Sequence, residues 1–101
     1  MWPYGCSGYM SMFMCLRPEI SHRYWQAINS LDTLTAREII AEKEIPFRDY
    51  IGEVPGGQNA GFHAAYELRG LCKRYLRPPC YSLSDEEVEA MAQFMDQREF
   101  L

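Results

Sequence analysis

Apolar residues recur with helical spacing along most of the chain, and the longest such segment runs from Gly56 to Pro79. The stripe is formed by Ala64, Leu68, Leu71 and Tyr75. Intervals of four, three and four residues place these side chains on one face of a helix. Asn59 is a suitable N-cap, and Pro78 cannot continue a helix. The pattern therefore predicts a central helix that begins near Asn59 and ends at Leu76 or Arg77.

Two further helices are predicted before this segment. The first covers residues 18–31 and opens with a proline, a residue favoured at the first helical position. The second begins at Thr35, where Glu38 three residues later completes a capping box. Pro46 disfavours helical backbone at the residue before it, so we expect this second helix to end near Glu44.

A fourth helix is predicted after the central one. Ser84 and Glu87 form a second capping box, with Leu83 placed to contact Val88 as a hydrophobic staple. The predicted buried face of this helix consists of Val88, Met91, Ala92 and Met95. Two capping boxes in one chain favour a helical fold.

The first 17 residues lack a helical pattern. Met10, Met12, Met14 and Leu16 alternate with other side chains, a period of two that is typical of a strand. A lone strand has nothing obvious to pair with here, so an apolar arm laid over the helices, or a short edge hairpin with the earlier segment, is an equal alternative. We therefore predict an all-α domain over residues 1–101, a compact bundle of about four helices in which residues 1–17 form an irregular or short-strand arm and residues 18–101 the helical body.

Composition limits the function. The chain has 101 residues, of which 48% are apolar, enough for one core. Its net charge of −4 argues against a general nucleic-acid binder. The apolar run at residues 9–16 is too short to cross a membrane, so we expect a cytoplasmic protein with no membrane partner. The oligomeric state stays open.

Neither metal nor catalytic motifs are evident. Four cysteines and two histidines are present, but Cys72 and Cys80 are eight residues apart and His63 precedes Cys72 by nine. Structural zinc sites bring their ligands in closer pairs. We expect free, buried thiols, no metal, no cofactor and no enzymatic activity; a zinc-stabilised or redox-active domain is a third interpretation that rests on the cysteines alone.

A basic cluster near the end of the predicted central helix is the strongest candidate for binding. Four cations lie within nine residues, with tyrosines between and after them, and arginine and tyrosine are frequent anchors in protein interfaces. The alternative is a solvated helix end that pairs with the acidic last helix. The predicted partner-binding residues are Arg69, Lys73, Arg74, Arg77, Tyr75, Tyr81 and Trp25. Trp25 is either an exposed anchor or part of the rim of the core.

A short, acidic chain rich in methionine and aromatic residues resembles small phage-encoded, host-directed inhibitors, such as anti-RecBCD accessory proteins and anti-CRISPR proteins. The resemblance implies a protein that binds a host protein complex, a nuclease or defence complex, in the host cytoplasm and inhibits or modulates it without a cofactor. The alternative is a small nucleic-acid-associated or transcription-regulating module that uses the basic end of the central helix.

Overall fold

A computed structural model describes residues 4–100, which form helices joined by irregular segments, with no strand in that range. The helical elements are α1 (Pro18–Asn29), α2 (Thr33–Ile39), a π-helical turn (Ile40–Glu44), α3 (Ile45–Glu53), α4 (Gly57–Leu68) and α5 (Asp85–Gln97). Because α2, the π turn and α3 are continuous, residues 4–100 contain four helical rods, which confirms the all-α prediction. None of the described helices is long and apolar enough to span a membrane.

Helix α1 begins at Pro18 as predicted, but it ends two residues early. The backbone of Leu31 has a φ of 61°, which is outside the helical region. The Leu31 side chain is 70% exposed, so it does not extend the buried face of α1.

The predicted N-cap of the second helix is wrong by three residues. Asp32, rather than Thr35, caps α2, because its carboxylate accepts a hydrogen bond from the Thr35 backbone N–H at 3.2 Å. The Thr35 hydroxyl donates to the other oxygen of the same carboxylate at 2.7 Å. Aspartate serves as well as threonine at an N-cap, and the sequence offers both.

The predicted end of this helix at Glu44 is also wrong, because the helix continues through Pro46 to Glu53. A proline inside an α-helix lacks a donor and clashes with the carbonyl four residues before it. Here the preceding turn is π-helical, and the Ile45 N–H bonds to the Ile40 carbonyl five residues back. The wider turn separates the proline ring from that carbonyl. The hydrogen-bond register therefore shifts by one residue and the helix continues.

Helix α4 begins at Gly57 and ends at Leu68, eight or nine residues before the predicted end at Leu76 or Arg77. Gly70, with a φ of 76°, follows its C-cap. The N–H of Gly70 bonds to the Glu67 carbonyl and that of Leu71 to the Tyr66 carbonyl, both at 2.9 Å. These two bonds define a Schellman motif, which ends the helix although the apolar stripe continues.

Helix α5 confirms the second capping box. The Ser84 hydroxyl accepts from the Glu87 N–H at 3.3 Å, and the Glu87 carboxylate accepts from the Ser84 N–H at 3.1 Å. Leu83 and Val88 are both buried in the main core.

The main core joins the N-terminal arm to α3, α4 and α5. Phe13 of the arm, Phe47 of α3 and Phe100 after α5 have ring centroids 5.3 Å apart in each pair. Leu16 is fully buried beside them. A smaller cluster joins α1 and α2. The arm is irregular where it is described, and residues 1–3 lie outside the described residues, as does Leu101.

Candidate functional site

A pocket of about 230 Å³ lies between the N-terminal arm, α1 and the π turn. We call it the arm pocket. Its lining is mostly apolar, with hydroxyls and one carboxylate among the apolar groups. The lining residues are Tyr9, Met10, Ser11, Met12, Phe13, Ile20, Ser21, Tyr24, Ile39, Ile40 and Glu44. Few polar groups in an apolar concavity are typical of small-molecule sites.

Hydrogen bonds hold the arm side of this pocket against α1. The Ser11 and Ser21 hydroxyl oxygens are 2.5 Å apart, and Ser21 is only 2% exposed. The Phe13 N–H donates to the Ser11 hydroxyl at 3.1 Å. The Tyr9 phenol donates to the Ser21 carbonyl at 3.1 Å. The arm is therefore bound to α1 by polar contacts as well as by the core.

The opposite wall comes from the end of α2 and the π turn. Ile39, Ile40 and Glu44 all line the pocket from this segment. A π turn inserts a residue into the helical register, so it directs side chains where an α-helix would not, and such turns occur frequently at functional sites. The position of this wall therefore depends on the π turn that precedes Pro46.

Glu44 is the only charged residue among the described residues that line the pocket. The pKa of Tyr24 is raised, chiefly by burial and then by the negative charge of Glu44. The Tyr24 phenol is therefore protonated at neutral pH and available as a donor. The pocket combines an anionic acceptor with neutral hydroxyls.

The predicted partner-binding residues occupy a different part of the molecule. Arg69 is the C-cap of α4, and Lys73, Tyr75 and Arg77 follow in the irregular segment before α5. All four are exposed. The prediction that the cations lie in the last turns of a helix is wrong for Lys73, Arg74 and Arg77, because α4 ends before Gly70.

The prediction that Arg74 binds a partner is also corrected, because its side chain is buried rather than exposed. Its backbone N–H and one guanidinium nitrogen donate to the Glu67 carboxylate at 2.6 and 2.8 Å, and its other terminal nitrogen donates to Asp85. Burial opposes its charge, but the bond to Asp85 and the charge of Glu67 outweigh burial and raise the pKa of Arg74. Arg74 joins α4 to α5.

Tyr81 and Trp25 have separate roles. The Tyr81 phenol donates to the Glu87 carboxylate at 2.5 Å. Trp25 is half-buried against the smaller core cluster, and its ring stacks on Tyr9 at 5.8 Å between centroids. Trp25 therefore belongs to the rim of the core.

The cysteines differ from the prediction in their burial. Cys6, Cys15, Cys72 and Cys80 are free but exposed. Within residues 4–100, no three histidine, cysteine or acidic side chains are placed to hold a metal ion.

The arm pocket is not predicted from the sequence. Ser11 and Ser21 are separated by the irregular arm, and no spacing rule brings them together. The one available signal was Pro46 inside a helical pattern, which indicates a kink or a π turn as well as a helix end.

Comparison with known proteins gives two matches. The chain is 30% identical over 92 residues to a probable 5-dehydro-4-deoxyglucarate dehydratase 1 of Streptomyces avermitilis, covering 91% of this chain and 29% of the relative. It is 27% identical over 88 residues to a probable 5-dehydro-4-deoxyglucarate dehydratase of Allorhizobium ampelinum, covering 87% of this chain and 29% of the relative. The chain thus spans under a third of these relatives. No family model and no solved structure matches.

These relatives contradict the predicted function. Both are named as enzymes, so they conflict with a non-enzymatic protein that binds and inhibits a host complex. They give the nucleic-acid alternative no support. The similarity points toward enzymes, and the resemblance to phage-encoded proteins stays an untested prediction.

Proposed function

We propose that this chain forms a helical part of an enzyme of the 5-dehydro-4-deoxyglucarate dehydratase kind. The observation that carries the proposal is the extent of the match, which takes in 91% of the chain in one relative and 87% in the other. A similarity of this extent relates most of the chain, rather than one motif, to the dehydratase sequences. The chain spans 29% of each relative. Catalysis would therefore also need residues that correspond to the unmatched part of those relatives.

The substrate named for the relatives sets chemical requirements. It is a sugar diacid with a keto group and a deoxygenated carbon, so it has two carboxylates at neutral pH. Loss of water needs a base to remove a proton and an acid to protonate the departing hydroxyl. The carboxylates need cationic or multiple hydrogen-bond donors.

The arm pocket does not meet the requirement for cations, since Glu44 is its only charged lining residue among those described. We therefore place the two carboxylates of the diacid outside this pocket, against residues that the larger remainder would supply. The role proposed for the chain is to pack beside the catalytic part and support it.

Complementation tests this proposal. The Streptomyces relative is truncated to remove its matching segment, and this chain is added in trans. We expect neither protein alone to consume 5-dehydro-4-deoxyglucarate, and the mixture to do so. Consumption is followed by NMR and complex formation by size-exclusion chromatography. A complex that forms without turnover would contradict the proposal, and an unrelated helical protein of equal size serves as the control.

A further inference from the structure

We propose that the arm pocket is a binding site for a small uncharged polyol, such as a sugar alcohol or a monosaccharide. This inference goes beyond the proposed function and does not depend on it. It rests on the pairing of donors and acceptors in the pocket, on its single charge and on its size.

The polar groups of the pocket match hydroxyl ligands. The Glu44 carboxylate accepts hydrogen bonds, and the Tyr24 phenol both donates and accepts. Of the two hydroxyls in the Ser11–Ser21 pair, one donates to the other across 2.5 Å, which leaves the second hydrogen free to bond a ligand. A polyol hydroxyl is itself donor and acceptor, so it satisfies both kinds of group.

Charged ligands fit less well. A carboxylate in the pocket would face Glu44 with no described cation beside it, and an unpaired buried charge is costly. An ammonium group would find one carboxylate, but the phenol and the serine hydroxyls would have to turn their hydrogens away. Uncharged hydroxyls therefore suit the whole set of lining groups.

The volume favours a small ligand. At about 230 Å³ the pocket is below the roughly 300–1,000 Å³ typical of sites for drug-sized molecules. The apolar lining from Phe13, Ile20 and Ile39 suits the C–H faces of a sugar ring or a folded polyol chain.

The pocket is also held in place before any ligand binds. Phe13 and Leu16 anchor the arm in the core at 3% and 0% exposure, and Tyr9 bonds α1. A prearranged site loses less entropy on binding than a flexible one.

NMR titration of the full chain with three six-carbon probes tests the proposal. The probes are glucitol, which is uncharged, glucarate, which is a dianion, and glucamine, which is a cation. We expect saturable shifts at residues of the arm pocket with glucitol, and weaker binding of both charged probes. Absence of saturable shifts with glucitol, or tighter binding of either charged probe, would overturn the proposal.

Variants locate the site. Glu44→Gln should weaken glucitol binding about tenfold, and Tyr24→Phe about two- to tenfold, as expected for loss of a charged and a neutral hydrogen bond. Glu42→Gln is the matched control, since Glu42 is exposed on the same π turn and does not line the pocket. Equal affinity of Glu44→Gln and Glu42→Gln, with both proteins folded by NMR, would contradict the assignment.

Discussion

At the scale of single residues, two residues other than glycine have a left-handed backbone conformation, which favours glycine. Leu31 and Glu99 both have a φ of 61°. Each follows a helix, and the next N–H bonds back to the helix, from Asp32 to Ala27 and from Phe100 to Met95, at 2.8 Å in both. These bonds cap α1 and α5, although a left-handed conformation costs a residue with a Cβ about 1–2 kcal/mol.

Leu31→Gly should therefore stabilise the protein by about 0.5–1 kcal/mol, because glycine adopts this φ without the Cβ penalty. Leu34→Gly is the matched control. Leu34 is also 70% exposed but lies inside α2, where glycine should destabilise by up to about 1 kcal/mol. Urea unfolding of the three proteins measures the difference. A lower midpoint for Leu31→Gly would show that its side chain matters more than its backbone.

The Tyr81–Glu87 hydrogen bond should make stability depend on pH. It lowers the pKa of Glu87 and raises that of Tyr81. The contribution of Glu87 is present above the ordinary glutamate pKa, roughly 4.3, and is lost as the pH falls through its lowered value. The contribution of Tyr81 is present below the ordinary tyrosine pKa, roughly 10, and is lost as the pH rises through its raised value.

Tyr81→Phe should lower stability at neutral pH and reduce the further loss in acid and in alkali. Thermal unfolding between pH 3 and 11 measures this, with Tyr4→Phe, at an 85% exposed tyrosine, as the control. Parallel pH profiles for the wild type and Tyr81→Phe would argue against the coupling.

At the scale of elements, Gly61 allows α3 and α4 to lie close together. A Cβ built on Gly61 would lie 2.7 Å from the Ile51 Cβ, whereas one on Gly52, in α3, meets nothing within 4 Å. Neither glycine has a positive φ. The two helices therefore pack closely because α4 has no side chain at this position.

Gly61→Ala should destabilise the protein by about 1–3 kcal/mol, the usual range for overpacking. Gly52→Ala should stabilise it by up to about 1 kcal/mol, because alanine has the higher helix propensity. Chemical denaturation of both variants decides the point. Similar midpoints for the two would mean that α3 and α4 do not pack as described.

Local signals in the sequence located some helix ends and not others. The Ser84–Glu87 capping box and Pro18 mark helix starts as predicted. Both signals act within a single turn of helix. Pro46 did not end a helix, since the π turn absorbed it, and Gly70 ended α4 against the apolar stripe. In both places the apolar spacing predicted a helix and a proline or glycine predicted its end. The outcome depended on backbone hydrogen bonds, which the spacing of apolar residues does not reveal.

The candidate site was harder to predict for a related reason. Arg74 has the same charge as Lys73 and Arg77, yet it alone of the three is buried, because Glu67 and Asp85 lie on either side of it in the fold. The arm pocket brings Ser11 to Ser21 and Glu44 through tertiary packing. Such contacts follow from the assembled core and have no counterpart in residue spacing.

At the scale of the whole molecule, the N-terminal arm is part of the core. Phe13→Ala should cost about 3–5 kcal/mol, the usual range for a buried phenylalanine, because its ring contacts both Phe47 and Phe100. Met10→Ala, at a fully exposed residue of the same arm, should change stability by about 0.5 kcal/mol or less. Calorimetry of both variants measures this. Equal stabilities would mean that the arm is not packed in the core.

The most direct test of the proposed function is the activity of a chimera. In it, the matching segment of the Streptomyces relative is replaced by the corresponding residues of this chain. We predict a folded enzyme that consumes 5-dehydro-4-deoxyglucarate within about a hundredfold of the parent rate, about 2.7 kcal/mol in the barrier. A chimera that folds like the parent and shows no turnover above the truncated relative would contradict the proposal.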